Sequence, residues 1–326
     1  KLNMNTFGLR AYYRPTQFSR ISLEYHTTNE FRRGGNKFDL QPHETDITEQ
    51  TKHIINSGGL TYDVFFNEYK HKLSVYASAQ HTDRNSYYGA DKAENAYGKT
   101  KDLTAVGGAM YVGNMDNCLF SPATFTGGVE YQYNSLHDVM TGYGRDLRQD
   151  VKIASGFVQN EWKLDYFTIL AGFRLDKHNL VDNVIFSPRI NTLWKPSDKF
   201  QGRLTWSTGF RAPQAYAEDS FSGSVDWSFN FGHFQSNLLI EGFYTALNDV
   251  FYLESLGKDP VSGTLVQERR NGNGARVYGA NIDYKIAHGK EAQLQLGFTV
   301  QRSRYTEAVR WSEDEDVAAI KRMPRT

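Results

Sequence analysis

Residues 221–231 read Phe221-Ser222-Gly223-Ser224-Val225-Asp226-Trp227-Ser228-Phe229-Asn230-Phe231. Apolar residues or glycine hold every odd position, and polar residues hold every even one. That two-residue period belongs to a strand whose faces meet different surroundings. The same alternation recurs outward in both directions. Leu294, Leu296, Phe298 and Val300 alternate with Gln295, Gly297, Thr299 and Gln301. Phe125, Val129, Tyr131 and Tyr133 oppose Thr126, Glu130, Gln132 and Asn134, and Ile21, Leu23 and Tyr25 oppose Arg20, Ser22, Glu24 and His26. Phe167, Ile169, Ala171, Phe173 and Leu175 oppose Thr168, Gly172, Arg174 and Asp176, with Leu170 out of phase. These segments run about 10–14 residues, where an ordinary strand has about 5–6. A helical period is almost absent, so the fold class is all-β.

Alternation alone fits a soluble sandwich as well as a membrane barrel, since both have an apolar and a polar face. The connections separate them. Short polar turns at Arg14–Gln17, Asn67–His71, Lys195–Lys199 and His288–Lys290 alternate with long segments at Thr28–His53, Arg84–Lys101, Asn134–Asp150 and Leu256–Gly274. Short turns at one end and long loops at the other are the pattern of a large antiparallel transmembrane β-barrel. Aromatic residues gather near strand ends, at Tyr12, Tyr13, Tyr25, Phe65, Phe66, Trp162, Tyr166, Trp194 and Tyr284, as interfacial girdles do. About 14 strands fit this layout, arranged in hairpins.

Composition agrees. The 326 residues carry 37 basic and 37 acidic side chains, so no net field attracts nucleic acid. Arg32-Arg33 is too small a basic cluster to change that. No apolar run is long enough for a membrane helix, and Trp227–Ile240, the longest uncharged stretch, is interrupted by polar residues. A strand that shows lipid only one face keeps average hydropathy low without leaving the membrane. The single cysteine, Cys118, excludes an intrachain disulfide and a cysteine-based zinc site.

Several stretches resemble the TonB-dependent outer-membrane receptors, in the form common in Bacteroidetes. Phe186-Ser187-Pro188-Arg189-Ile190-Asn191 leads through Trp194-Lys195-Pro196 to a strand ending Gly209-Phe210-Arg211-Ala212-Pro213. This pair is similar to the family's SPR strand followed by GFRAP. Arg270-Asn271-Gly272 through Val277-Tyr278-Gly279-Ala280 resembles the family's N-G-x-G-A-x-V-x-G strand opening. The resemblance spans nearly the whole chain, and Phe210, Arg211, Ala212 and Pro213 are its signature residues. It implies a barrel of about 22 strands with a plug in the lumen. Residues 1–326 are then expected to be an incomplete transmembrane barrel domain, with the plug before Lys1 and final strands after Thr326. A loop that the family places between Glu218-Asp219 and Ser220-Phe221 is not in the sequence.

The resemblance implies import of a scarce nutrient across the bacterial outer membrane: an iron siderophore, haem or cobalamin. The implied partners are TonB acting through the plug, the small-molecule ligand, outer-membrane lipid and, by family analogy alone, a surface lipoprotein. No cofactor of its own is expected, and nucleic acid is not a partner. The ligand-binding candidates are loop aromatics with nearby cations: Tyr87, Tyr88 and Tyr97 in one long segment, and Tyr143 with Arg145 and Arg148 in another. Such groups suit a flat or anionic chelate through stacking and charge-assisted hydrogen bonds. The structural alternative for each tyrosine is a place in the girdle. His137 and His178 lie on or beside long loops, where an imidazole could ligate haem iron, though no His spacing defines a metal site. Glu313-Asp314-Glu315-Asp316 lacks the alternating ligands of a calcium loop and reads as a solvated run.

Two other classes remain open at this stage, an outer-membrane barrel enzyme and a soluble glycan-binding β protein. Neither a G-x-S-x-G elbow nor H-E-x-x-H, C-x-x-C or a phosphate-binding glycine loop occurs, so the chain is not expected to be an enzyme.

Overall fold

The computed structural model describes residues 1–211, 216–248, 251–258, 265–271, 274–309 and 320–322. The strands are β1 (Leu2–Tyr13), β2 (Ser19–Gly35), β3 (Ile47–Phe66), β4 (His71–Ala90), β5 (Tyr97–Cys118), β6 (Ser121–Met140), β7 (Arg145–Lys163) and β8 (Phe167–His178). They continue as β9 (Ile185–Ser197), β10 (Phe200–Arg211), β11 (Tyr216–Phe231), β12 (Phe234–Leu247), β13 (Phe251–Lys258), β14 (Leu265–Asn271), β15 (Ala275–His288), β16 (Ala292–Val309) and β17 (Ile320–Arg322). Fourteen long strands, β1–β12, β15 and β16, join in one sheet in chain order, with short β17 beside β16. The pairs β1–β2, β2–β3, β3–β4, β4–β5, β9–β10, β10–β11, β11–β12, β12–β15 and β15–β16 are antiparallel. β13 and β14 form a separate two-stranded ribbon. Among the described residues, no helix is long and apolar enough to cross a membrane, which says nothing about crossing by strands.

Contacts divide the chain into two compact units. The first comprises Lys1–Met115, Thr124–Val158 and Arg174–Ile185, and the second Asp116–Ala123, Gln159–Phe173 and Phe186–Thr326.

In the first unit the predicted period is borne out, but its faces are inverted relative to a soluble protein. Leu9, Leu23, Leu60 and Val75 are exposed, while Asp63, Ser74 and Asp176 are buried. Asp63 is 2% exposed and receives Arg20 Nη2 at 3.0 Å, Lys72 Nζ at 3.0 Å and Ser74 Oγ at 2.7 Å. A second network links Tyr76 Oη to Glu130 at 2.8 Å, and Arg174 to Glu130 at 3.0 Å, Asp176 at 2.8 Å and Ser155 at 2.7 Å. A sandwich would bury the leucines and hydrate the carboxylates. Here the apolar face is the outer one, and the polar face carries charges satisfied by one another.

The long segments expected as loops are mostly strand. β3 and β4 each have 20 residues and β5 has 22, well beyond the about 9–11 needed to span a bilayer. Pairing persists through the polar sequence, with Arg33 opposite Gln50 and Tyr87 opposite Tyr97. Polar composition marked the exit from hydrocarbon, not the end of the ladder. The connections between these strands shrink to residues 36–46, 91–96 and 141–144.

The second unit keeps the same rule. Leu204, Phe221, Val225, Trp227 and Ile240 are exposed on one face. Asp226 on the other face accepts from Gln201 at 3.1 Å and Asn237 at 2.6 Å. Glu218 and Asp219 lie inside β11, opposite Gly209 and Thr208. The N-G-x-G-A motif has a steric reason at Gly274, whose φ is +101° and whose added Cβ would stand 2.5 Å from the Leu247 carbonyl oxygen. Its Gly272 lies outside the described residues, as do Ala212 and Pro213 of the signature and the run Glu313–Asp316.

Candidate functional site

The long ribbons of the first unit end in tips that lock together. Pro42 opens a 3-10 turn, Pro42–Glu44, closed by Gln41 N–H donating to Glu44 Oε2 at 2.8 Å and Thr45 Oγ1 donating to the Pro42 carbonyl at 2.7 Å. That turn presents His43, whose Nδ1 lies 2.8 Å from Tyr97 Oη. Tyr97 in turn meets Tyr87 edge-on, with ring centroids 4.8 Å apart. Tyr87 is 1% exposed, and its hydroxyl donates to the Ala93 carbonyl at 3.0 Å. From a second 3-10 turn, Thr141–Tyr143, the Tyr143 hydroxyl donates to the Tyr88 carbonyl at 2.7 Å, and Gly142 N–H donates to Asn95 at 2.8 Å.

Thus Tyr87, Tyr88, Tyr97 and Tyr143 do come together, with unequal roles. Tyr87 is enclosed and its hydroxyl is spent on the backbone. Tyr97 and Tyr143 stay exposed, Tyr143 at 62%.

Arg145 belongs to a charge cluster in the same unit. Its Nη2 lies 2.7 Å from Asp138 Oδ2, and Arg84 Nη2 lies 3.4 Å from Asp138 Oδ1. Thr100 Oγ1 donates to that Oδ1 at 2.5 Å and accepts from Arg84 Nε at 3.1 Å and Nη2 at 2.8 Å. Asp138 is buried while both guanidiniums keep partial exposure. Two cations share one carboxylate, so the cluster holds one uncompensated positive charge with N–H groups left to donate. Near it in register, Glu30 accepts from Arg32 at 2.7 Å and lies 3.7 Å from His53, the residue opposite Arg84 on β3 and β4.

Arg84, Thr100 and Asp138 carry no signal in spacing along the chain, because they sit in the polar segments Arg84–Lys101 and Asn134–Asp150. Continuing the two-residue period of β4 upward from Ser74 and Tyr76 would have placed Arg84 on the polar face.

The two histidine candidates differ, His137 keeping a side chain 42% exposed and His178 being enclosed. His137 Nε2 is 3.0 Å from Asp146 Oδ1. His178, at the end of β8, is 0% exposed; its Nδ1 accepts the Leu180 N–H at 2.9 Å, and its Nε2 is buried without a partner. Arg148 Nε lies 3.5 Å from Asp146. Among the described residues no group of three or more His, Cys, Asp or Glu side chains is placed to hold a metal ion. Phe210 belongs to the second unit, at the end of β10, and of Arg211 only the backbone is described.

The family model described as TonB dependent receptor-like, beta-barrel, matches residues 2–326. Comparison with curated protein sequences gives no match. Among solved structures, the siderophore receptor PirA from Acinetobacter baumannii superposes with a TM-score of 0.72 at 13% identity, covering 94% of this chain and 54% of the receptor. PirA from Pseudomonas aeruginosa gives 0.74 at 13% identity, covering 93% and 57%. The alcaligin outer membrane receptor FauA from Bordetella pertussis gives 0.68 at 10%, covering 93% and 53%. The chain therefore spans about half the length of the solved structures it matches. At these identities the superposition speaks for the fold, a transmembrane β-barrel. The family and these structures are receptors and transporters rather than enzymes.

Proposed function

The chain belongs to the TonB-dependent receptor β-barrel family of the Gram-negative outer membrane, and from that premise we propose that it is the barrel portion of an importer for an anionic ferric siderophore. The observation that carries this reading is the Arg84–Asp138–Arg145 cluster, where two guanidiniums share one carboxylate. A chelate with carboxylate, catecholate or similar oxyanion donors supplies the missing negative charge and accepts bidentate hydrogen bonds. Tyr143, two residues before Arg145 in the chain, offers an exposed ring for the flat part of such a ligand, whereas Tyr97 lies on the opposite face of β5 from Thr100. Tyr87, Tyr88 and Tyr97 serve in this reading as the frame against which Tyr143 is held.

Haem and cobalamin are the weaker ligands. For haem capture of the histidine-ligated kind, His178 is enclosed, and the half-exposed His137 has its Nε2 engaged by Asp146 Oδ1 at 3.0 Å, a contact that iron would have to displace. Cobalamin makes less use of an excess positive charge. Energy for import would come from TonB acting through a plug domain, and a surface lipoprotein partner rests on family analogy alone.

The test is growth of a strain lacking the receptor gene, supplied with one iron source at a time, with wild-type and Arg84→Ala/Arg145→Ala full-length receptors restored separately. Growth on an anionic ferric siderophore that the double variant fails to restore supports the proposal. A defect confined to haem or cobalamin, or full activity of the double variant, overturns it.

A further inference from the structure

The outer face of the second unit is not uniformly covered. A groove of about 700 Å³ runs over β10, β11 and β12 and joins a second of about 580 Å³ through Thr192, Leu204, Gly223 and Gly242. Each lies within the about 300–1,000 Å³ of ordinary small-molecule sites. Gly223 and Gly242 face each other across β11 and β12, so two neighbouring strands lack side chains where the flanking rows carry large ones. One end is walled by Phe167 and Trp194, whose rings stack with centroids 6.3 Å apart. The other end is walled by Trp206 and Phe221, at 6.2 Å, with Tyr244 beside them.

The geometry points to a bound acyl chain of a phospholipid from the periplasmic leaflet as the occupant. The groove lies on the face that carries exposed Leu204, Val225 and Ile240, in the band that only hydrocarbon or another membrane surface can cover. Its Trp194 end adjoins the short turns Leu164–Tyr166 and Asp198–Lys199, and short turns mark the periplasmic side. From Gly202 to Trp206 the strand advances roughly 14 Å, about one leaflet of a hydrocarbon core about 30 Å thick. The Trp194 indole N–H makes no hydrogen bond among the described residues and sits at girdle depth, where an acyl ester carbonyl would accept it. A chain that is apolar along its length and offers an acceptor at one end matches both features.

Gly242 supplies the test, because a Cβ added there meets nothing within 4 Å and a larger side chain would fill the groove from its floor. The full-length receptor, purified from outer membranes and washed with mild detergent, is weighed intact by native mass spectrometry. The wild type should retain one phospholipid per protein, Gly242→Trp at least tenfold less, and Val129→Trp, on the exposed face of the first unit, as much as the wild type. Gly242→Leu repeats the test if the tryptophan variant fails to show the heat-modifiable gel mobility of a folded barrel. Equal retention by wild type and the Gly242 variants overturns the proposal, as does equal loss in Gly242→Trp and Val129→Trp. A wild-type dimer that Gly242→Trp converts to monomer also overturns it, in favour of a second copy of the chain.

Discussion

Asp63 and Leu204 invert the usual order of burial. In the first unit, the Asp63 carboxylate is enclosed by Arg20, Lys72 and Ser74. In the second, the Leu204 side chain is 68% exposed among other exposed apolar groups. Both positions obey one two-residue alternation, so the period alone assigns neither face to the interior. What assigns them is electrostatics. A buried carboxylate is tolerated where cations and hydroxyls replace its water, and exposed leucine is tolerated where the solvent is hydrocarbon.

Breaking the polar side of that comparison should have the largest effect. Asp63→Leu leaves Arg20 and Lys72 without their shared partner. It should cost about 3 kcal/mol, the low end for a broken buried pair because both cations stay partly hydrated. Urea unfolding of the full-length receptor in lipid vesicles measures it, and an unchanged midpoint would mean that the inner network is ornamental. Next comes the apolar side, where Leu204→Arg should cost about 2–3 kcal/mol in the same assay. In a soluble sandwich an exposed site would accept arginine at almost no cost.

The tips offer a smaller perturbation. Tyr87→Phe removes the hydroxyl that donates to Ala93 and should lose about 1 kcal/mol locally. Amide hydrogen exchange across residues 87–97 should accelerate while β10 and β11 stay protected. The smallest effect is expected from Asp46, half exposed in the loop at residues 36–46. Lys37, at 2.9 Å, and Asn36, at 3.0 Å, hold its carboxyl below the ordinary value. A depressed folded pKa means that the loop's support is complete above the unfolded pKa and fades as pH falls through the folded one. Exchange or proteolysis of residues 36–46 should therefore rise on acidification below about pH 4, and Asp46→Asn should flatten that dependence.

How much of this was legible in the sequence differs by region. In Phe221–Phe231 the strand and the make-up of its two faces are legible from the alternation itself, while the membrane context comes from short turns alternating with long segments along the chain. Thr28–His53 and Arg84–Lys101 were harder. Above the membrane both faces of a ribbon are polar, so the alternation that identifies a strand fades while the backbone pairing goes on. Arg84, Thr100 and Asp138 were hidden by that fading, since their proximity comes from register between β4, β5 and β6 and not from spacing along the chain. Tyr87, Tyr88, Tyr97 and Tyr143 were singled out by residue type. Residue type could not distinguish enclosed Tyr87 from exposed Tyr143, because that depends on how three tips meet.

The central claim is that neighbouring residues of one strand face lipid and lumen by turns, and a fluorophore placed on each face tests it most directly. In a Cys118→Ser background, single cysteines at Leu204 and Thr205 are labelled with bimane, and the full-length receptor is reconstituted into vesicles containing doxyl-labelled phospholipid. The account predicts strong quenching at position 204 and little at 205. Equal quenching at both, or stronger quenching at 205, would contradict it.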